Sequence, residues 1–536
     1  YQEKEKKEMS STDGVGLSHL ETYVNEGSTD NARTNALNMI LLEVNAKKIP
    51  LQNLVIQLGE YLTSETENVR IRGTQILVET VTRLTALPLG SQAVSTLTNF
   101  FCQRLHDYAC VKELLQGLWV MVSRYPLPSS LPALVCRSIF KELTVQTLVQ
   151  GSRKQCFDIL SALCSKYRSE VLTVSEFPDG FIQAMDGEKD PRNLLICFAL
   201  AKNVLEMFAK AFDPEMLDEM FQITSCYFPI TFTAPKNDPH GITGDDLKVA
   251  LRACLTAHVG LADFVLPLLL DKLDHAAAGV KVDALLTMAL CVQNYGVQAI
   301  GAHVGQLWAG LKRECVGSAD AEVVKEALHA VKQLAAAVCP DTVGGFAVDA
   351  QVFAASDSQA YACFMQPMLA DCVRELKHPD SKLARVHGKV LSAAASASRA
   401  SLSACLKVWL PPVVDRLQNG DSSGVCPPSQ AAALLRTLQD TLESACSSLL
   451  PALADGTSTS ASASASASAC AHPVASHLPD MLSLFLQHLH GGFAAQRVSC
   501  VRGLTSLVRA TTPPPPPPPP LLSPPPAAAP PPPAAG

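Results

Sequence analysis

Apolar residues recur along this chain at the spacing of an amphipathic helix. After a polar turn that ends at Glu67, apolar or small residues fall at i, i+4, i+7, i+8, i+11, i+12 and i+15, which is one helical face. These positions are Val69, Gly73, Ile76, Leu77, Thr80, Val81 and Leu84. The preceding segment 51–62 is also amphipathic. The pattern therefore predicts two antiparallel helices joined by a short turn.

The helix pair repeats along the chain. Four second helices begin with a basic residue, and these residues are 42, 41 and 39 positions apart: Arg70, Lys112, Arg153 and Arg192. A period of about 40 residues is typical of HEAT/armadillo repeats. The sequence therefore predicts an all-α protein, a right-handed HEAT/armadillo-type α-solenoid over residues 17–450. Stacking would place the four basic residues in a ladder along one edge, where bonds to neighbouring repeats are favoured over a ligand-binding stripe.

Two kinds of local signal predict where helices begin. Ser64 and Glu67 have the S-x-x-E spacing of a capping box. Asp190 is followed by Pro191, and a capping acid before a proline is a favourable start for a helix. Both signals lie directly before second helices of the predicted pairs, so they support the same repeat boundaries.

One segment, 225–242, interrupts the helical pattern. It contains three prolines together with turn-forming residues, so it cannot be helical. Its aromatic content is too high for a free linker, and loops carry function more often than scaffold helices do. Two alternatives stay open here: a structural strap across the solenoid, or a contact for a partner protein. The candidate contact residues are Tyr227, Phe228, Pro229, Asn237, Asp238 and His240.

The remaining segments differ in composition from the repeats. Residues 1–16 are charged or polar and are predicted to be frayed, and 451–477 form a low-complexity linker of alternating Ser and Ala. One further repeat is predicted at 478–510. Residues 511–536 are rich in proline, which predicts a disordered tail with polyproline II character.

Composition narrows the classes of function. The net charge is −7 and no basic cluster stands out, so direct binding of nucleic acid is not expected. The 18 cysteines include no C-x-x-C pair, which predicts reduced, buried thiols and no metal or cofactor site. No apolar run is long enough to span a membrane. No nucleotide-binding, hydrolase or metalloprotease motif is present, so the chain is not expected to be an enzyme.

Three strings of residues resemble one known family. They are Phe181–Leu195, Thr224–Phe232 and Asn237–Ile242. They are similar to the amino-terminal half of the HEAT-repeat targeting subunit of the cytosolic iron–sulfur assembly machinery, the "MMS nineteen / Met eighteen" nucleotide-excision-repair and transcription factor. The resemblance covers roughly residues 17–338.

The resemblance implies an adaptor in the cytoplasm and nucleus. Family members join a WD-repeat propeller and a cluster-transfer subunit, and the complex delivers 4Fe–4S clusters to apoproteins such as DNA helicases and polymerases. The family's chain is about twice as long, and its carboxy-terminal repeats dock the assembly partners. In this chain that half is absent or replaced by Ala-, Ser- and Pro-rich sequence, so surfaces for clients are expected to remain. The alternative is a HEAT-repeat nuclear-transport receptor or a generic protein-interaction scaffold.

Overall fold

The computed structural model describes residues 18–84, 89–235, 241–341, 358–420, 426–449, 477–488 and 494–511. All regular secondary structure within these ranges is helical. The chain divides into two compact units, Tyr1–His303 and Val304–Gly536, where the sequence predicted one array over 17–450. The predicted frayed segment 1–16, low-complexity linker 451–477 and disordered tail 511–536 lie outside the described residues, except for His477 and Thr511, which are helical.

The first unit contains six consecutive helix pairs preceded by two further helices. Its helices are α1 (18–24), α2 (Asp30–Asn45), α3 (Leu51–Leu62), α4 (Glu67–Arg83), α5 (Ser91–Arg104), α6 (Val111–Arg124), α7 (Leu131–Glu142), α8 (Gln150–Lys166), α9 (Arg168–Val171), α10 (Phe177–Met185), α11 (Pro191–Met207), α12 (Pro214–Ser225), α13 (Gly244–Leu255), α14 (Ala262–Lys272) and α15 (Ala278–Ile300). The short helix α9 lies between the third and fourth pairs.

These helices form two layers. Helices α4, α6, α8, α11, α13 and α15 pack in sequence against one another and form one layer. Helices α5, α7, α10, α12 and α14 pack in sequence and form the other. Because each helix buries one face against its pair and others against its neighbours, the unit has the stacked architecture predicted for a HEAT-type solenoid.

The second unit is built in the same way. Its helices are α16 (Val304–Gly317), α17 (Ala321–Val338), α18 (Gln359–Cys363), α19 (Met365–Arg374), α20 (Lys382–Ala395), α21 (Arg399–Asn419), α22 (Pro428–Leu449), α23 (Leu478–His488) and α24 (Ala494–Thr511). Helices α17, α20, α22 and α24 pack in sequence as one layer. The pair α23 and α24 lies where the sequence predicted one further repeat.

The apolar stripe of α4 forms part of the core of the first unit. Six of the seven predicted stripe positions are buried, and Val69 is half-buried. Burying a full-sized aliphatic side chain contributes about 1.5–3 kcal/mol, so the buried Ile76, Leu77 and Val81 each stabilise this repeat. The helical period in the sequence therefore identified the face that packs.

Of the two helix starts predicted from capping signals, the one at Asp190 is present in the structure and the one at Ser64 is not. The Asp190 carboxylate accepts a hydrogen bond from the backbone N–H of Arg192 at 2.9 Å, with Pro191 at the first helical position. The capping box predicted at Ser64 is wrong. Helix α4 begins at Glu67 with Thr66 as its N-cap, so Ser64 lies two residues too early and its hydroxyl accepts instead from Thr66 N–H at 3.2 Å.

Helix α10 was not predicted from the sequence. It has only nine residues, too few for a helical period to stand out from a short apolar run. Its Phe177, Phe181 and Met185 side chains are fully buried. This helix is the partner of α11, and the loop between them carries the most constrained polar cluster of the first unit.

Candidate functional site

A buried carboxylate joins α8 to the loop before α11. The side chain of Glu188 is 0% exposed. Arg153 forms a bidentate ion pair with it, donating from Nε to Oε2 at 2.8 Å and from Nη2 to Oε1 at 2.9 Å. The loop reaches this position through Gly187, whose φ of +79° favours a residue without a Cβ. A two-point pair of this kind fixes orientation as well as distance.

The remaining bonding capacity of Glu188 is also used. Backbone N–H groups of Lys189 and Asp190 donate to Oε1 at 2.9 and 3.0 Å. Asn193, itself buried, donates from Nδ2 to Oε2 at 2.9 Å. Its own amide oxygen accepts from Gln150 on α8 at 3.0 Å. Because a buried charge is tolerated only when it is paired and hydrogen-bonded, this cluster ties the two repeats into one geometry.

The surroundings determine the charge of Glu188. Burial by itself would raise the pKa of its carboxyl group. Hydrogen bonds from Arg153, from the Asp190 N–H and from Asn193 outweigh that effect and lower the pKa to about 2. Glu188 is therefore ionised at neutral pH, and its negative charge is part of the folded structure.

We expect the stability that Glu188 contributes to be lost in acid. Its folded-state pKa, about 2, lies below the ordinary value for glutamate, so the contribution is fully present above about pH 5 and falls as the pH approaches 2. The full effect is roughly 3 kcal/mol. Urea denaturation of the wild type and of Glu188→Gln should give a stability difference that shrinks as the pH falls from 5 to 3. A difference that stays constant over this range would contradict the expectation.

Tyr227 attaches the irregular segment to this cluster. Its hydroxyl donates to the backbone carbonyl oxygen of Glu188 at 2.6 Å. Its ring meets that of Phe198 on α11 edge-to-face, with centroids 5.4 Å apart. Burial raises the pKa of the Tyr227 hydroxyl. We call Gln150, Arg153, Glu188, Asn193 and Tyr227 the Glu188 cluster.

The rest of the described segment, 226–235, also packs on the first unit, and we call it the strap. Phe228 is 7% exposed and Pro229 is half-buried. At the other end, the carbonyl oxygen of Phe232 lies close over Gly244, where an added Cβ would meet it at 2.6 Å. The strap is therefore bonded to the Glu188 cluster at one end and lies in close contact with the first turn of α13 at the other. This geometry supports the strap over a free partner contact for Tyr227 and Phe228.

The other three candidate contact residues are not described by the structure. Asn237, Asp238 and His240 lie outside the described residues, so their role in partner binding stays a prediction. Within the strap, the exposed residues are Cys226, Thr231, Thr233 and Pro235. A partner that touches the described strap would meet mainly these side chains, since Tyr227 is half-buried and Phe228 is buried.

We expect Gly244→Ala to weaken the attachment of the strap. The new methyl group would press on a backbone carbonyl, which cannot rotate away as a side chain does, so a cost of about 1–3 kcal/mol is expected. Gly279→Ala is the matched control, because nothing lies within 4 Å of a Cβ at that helical position. We expect the melting temperature of Gly244→Ala to be lower than that of Gly279→Ala. Equal temperatures for both variants would show that the strap yields freely.

Of the four predicted stacking residues, Arg70 and Arg153 bond the next repeat. Arg70 contacts Asp107, from Nε to Oδ2 at 2.8 Å and from Nη2 to Oδ1 at 3.1 Å. It also donates to the carbonyl oxygens of Ser64 and Glu65. Arg153 has the same arrangement, with Glu188 ahead of it and the carbonyl oxygen of Leu148 behind it at 2.9 Å. Each arginine therefore bonds both the turn that precedes its own helix and an acidic residue in a loop of the next repeat.

The four-membered ladder needs correction at Lys112 and Arg192. Arg70 and Arg153 are the fourth residues of α4 and α8, whereas Lys112 and Arg192 are the second residues of α6 and α11. Two positions change the direction of a helical side chain by more than half a turn, so these residues point elsewhere. Lys112 is exposed and forms no ion pair within the described chain. Arg192 grips Asp190, the N-cap of its own helix, at 2.9 and 2.6 Å.

Several stacking residues were missed by the sequence analysis. Asp107 and Glu188 lie 37 and 35 residues after their arginines, close to one repeat downstream. Arg252 forms a comparable pair with Asp283 at 2.5 Å and also contacts Thr287. A search for an acid nearly one period after each arginine could have found these pairs.

The cysteines of the described chain are mostly inaccessible. Fourteen of the seventeen described cysteines are buried, and all seventeen are free thiols. Burial raises the pKa of the Cys156, Cys254 and Cys291 thiols to about 12. Because the thiolate is the nucleophile and the metal ligand, these side chains act as small apolar groups.

The described residues also bear on metal sites and on membrane spans. No group of three or more His, Cys, Asp or Glu side chains in those ranges could hold a metal ion. Among the described helices, none by itself has the length and apolar content of a membrane span. One bent pair, Gly244–Leu255 with Val259–Lys272, meets those two criteria jointly, with an angle of 101° between its halves.

Comparison with known proteins gives a consistent picture. Residues 55–317 match the family model described as "Dos2-interacting transcription regulator of RNA-Pol-II". Proteins named "MMS19 nucleotide excision repair protein homolog" are similar to this chain. The one from Dictyostelium discoideum is 32% identical over 381 residues, which is 71% of this chain and 33% of that protein. The mouse protein is 36% identical over 351 residues, covering 64% of this chain and 33% of its own length.

The human relative of the same name is 34% identical over 375 residues, which is 69% of this chain and 35% of that protein. The chain thus spans about a third of the length of the curated relatives it matches. A crystal structure of Kap121p bound to Nup53p aligns over 92% of this chain and 45% of its own, with 13% identity and a TM-score of 0.44. A likeness at that score carries no argument about function.

Proposed function

Because the chain belongs to the MMS19 family and matches its amino-terminal domain, we propose that it is a non-catalytic adaptor of the cytosolic iron–sulfur targeting complex. In this role it holds apoproteins of DNA repair, replication and transcription while 4Fe–4S clusters are delivered to them. The cluster is cargo of the complex and is not bound by this chain. The proposed places of action are the cytoplasm and the nucleus.

The family match over residues 55–317 is the observation that carries the proposal. The relatives are named for nucleotide excision repair, and the family model is described as a transcription regulator. An adaptor that supplies clusters to enzymes of both processes accounts for both descriptions. The proposed partners are a WD-repeat propeller, a cluster-transfer subunit, and apo iron–sulfur proteins such as DNA helicases and polymerases.

The arrangement of the first unit suits an adaptor. Its polar clusters, those of Arg70, Arg153 and Arg252, join one repeat to the next. Side chains used in this way keep the stack rigid and leave the outer helical faces for contacts. A rigid stack also lowers the entropy cost of binding a large partner surface. Reactive chemistry would instead require accessible, perturbed groups in a cleft.

Affinity capture with the tagged full chain tests the proposal. We expect it to recover the propeller subunit and apo iron–sulfur enzymes, with more of an enzyme whose cluster has been removed than of its cluster-loaded form. Iron analysis of the purified chain alone should give far less than one iron per molecule. Recovery of neither partner class, or stoichiometric iron on this chain, would contradict the adaptor role.

The same capture experiment distinguishes the adaptor role from the alternative role of a nuclear-transport receptor. A transport receptor would bind a GTP-loaded small GTPase and phenylalanine–glycine repeats. We expect no such binding by this chain. GTP-dependent capture of the GTPase without any iron–sulfur protein would replace our proposal with the transport function.

A further inference from the structure

Helix α20 of the second unit has an unusual charge. It carries Lys382, Arg385 and Lys389 and no Asp or Glu. The three cations are three and four positions apart, so they lie along one face. All three side chains are exposed. This concentration of positive charge contrasts with the net charge of −7 for the whole chain.

The same face borders a groove formed by α17, α20 and α22. A cavity of ≈ 420 Å³ is lined by Arg385 and Lys389 from α20 and by Arg436 from α22. A neighbouring cavity of ≈ 230 Å³ shares Leu328 and Lys389 with it and adds Lys382. We call these two adjoining cavities the basic groove. It lies entirely within the second unit.

Small residues make the floor of the basic groove. A Cβ built on Gly388 would lie only 3.1 Å from the side chain of Thr437, so α20 and α22 approach closely there. Ser392, Ala393 and Ala433 continue the lining, and the Ser392 and Thr441 hydroxyls are 3.1 Å apart. Because these side chains are short, they leave an open space between the longer cationic side chains that line the groove.

The cations of the groove form few hydrogen bonds and no ion pair within the described chain. Lys382, Lys389 and Arg436 are exposed and take part in no hydrogen bond or ion pair with other described residues. Arg385 donates to the backbone carbonyl oxygen of Asp380 at 3.3 Å. Asp440 also lines the groove, with Glu443 one turn further along α22. Neither carboxylate forms an ion pair with a groove cation in the described structure, and Lys389 and Arg436 act on Asp440 only at longer range. The four cations outnumber these two acids.

We propose that the basic groove binds an acidic segment of a partner protein. Carboxylates of such a segment would pair with Arg385, Lys389 and Arg436, and short apolar side chains would rest on the floor beside Leu328. A protein segment fits better than nucleic acid because the residues that line the groove include no aromatic side chain for base stacking.

This inference does not depend on the proposed function. The groove begins beyond residue 317, where the match to the family model ends, except for Cys315, Val316 and Gly317 at its edge. An acidic partner segment could be bound whether or not the chain serves iron–sulfur proteins. Loss of one proposal would therefore leave the other standing.

Fluorescence anisotropy with the full chain provides the test. The probe is a fluorescein-labelled peptide of Glu interspersed with Ala and Leu, and its comparison is the same peptide with Gln in place of Glu. We expect the Glu peptide to bind more tightly and its binding to weaken as salt is raised. The triple variant Arg385→Glu, Lys389→Glu, Arg436→Glu should weaken binding by about tenfold or more.

A matched variant controls for net charge. Lys48→Glu, Lys112→Glu and Lys210→Glu together reverse three exposed cations of the first unit, and they should change the affinity by less than about twofold. If the groove variant does not fold, as judged by circular dichroism, the same three positions are changed to Gln. Equal binding of the Glu and Gln peptides, or equal weakening by both triple variants, would overturn the proposal. Tighter binding of a single-stranded oligonucleotide of equal charge, lost in the groove variant, would assign the groove to nucleic acid instead.

Discussion

Arg153→Glu is expected to lower the free energy of unfolding by about 3–5 kcal/mol. The substitution removes both hydrogen bonds from the guanidinium to Glu188 and places a second carboxylate beside one that is 0% exposed. A buried charge that loses its partner retains its desolvation cost, so the loss exceeds that of a surface ion pair. Urea denaturation of the full chain, followed by circular dichroism, measures the effect.

Lys112→Glu is the matched control for this prediction. It makes the same change of charge at the start of the neighbouring helix of the same layer, α6, where the side chain is exposed. We expect a change within about 0.5 kcal/mol. Because stability in a stacked repeat protein is local, hydrogen exchange should show the Arg153→Glu effect mainly in α8, α10 and α11. Equal stability of the two variants would mean that the Glu188 cluster does not join these repeats.

Replacing Tyr227 and Phe228 together by Ala is expected to destabilise the first unit by at least about 3–5 kcal/mol. Phe228 is 7% exposed, so its loss leaves a cavity. Tyr227 supplies the 2.6 Å hydrogen bond to the carbonyl oxygen of Glu188 and the edge-to-face contact with Phe198. The melting temperature and the protection of amide hydrogens in α11 should both fall.

Tyr227→Phe separates the parts of this effect. It keeps the ring and removes only the hydroxyl, so it should cost about 1 kcal/mol. Affinity capture with the same variants decides between the two roles considered for this segment. If the double variant keeps the wild-type melting temperature but loses its partners, the two aromatic residues form a contact surface and the strap interpretation is wrong.

The sequence predicted repeats more accurately than the contacts between them. The stripe from Val69 to Leu84 and the cap at Asp190 depend on residues a few positions apart, and both are present in the structure. The ladder of basic residues depended on an exact register across repeats. A spacing of 42 and 41 residues looked regular around Lys112, yet the loops differ in length, and the helical position shifted by two.

The candidate site shows the same division. Prolines and aromatic residues marked the segment 225–242 as irregular and packed, which follows from composition alone. Whether Tyr227 faces solvent or the protein depended on where the Glu188 carbonyl lies, 39 residues away. Glu188 was not singled out from the sequence, because a glutamate in a loop is ordinarily exposed and only its spacing from Arg153 marks it.

By itself, the sequence determined that the protein is an all-α stack of helix pairs with a period near 40 residues, since local apolar periodicity fixes which face of each helix is buried. It also placed the chain in its family through continuous strings of residues. Only the tertiary structure decided which acid meets each arginine, how Glu188 keeps its charge inside the protein, and how the strap is held. These features join residues more than thirty positions apart, and their geometry depends on loop lengths and helix packing that no local pattern encodes.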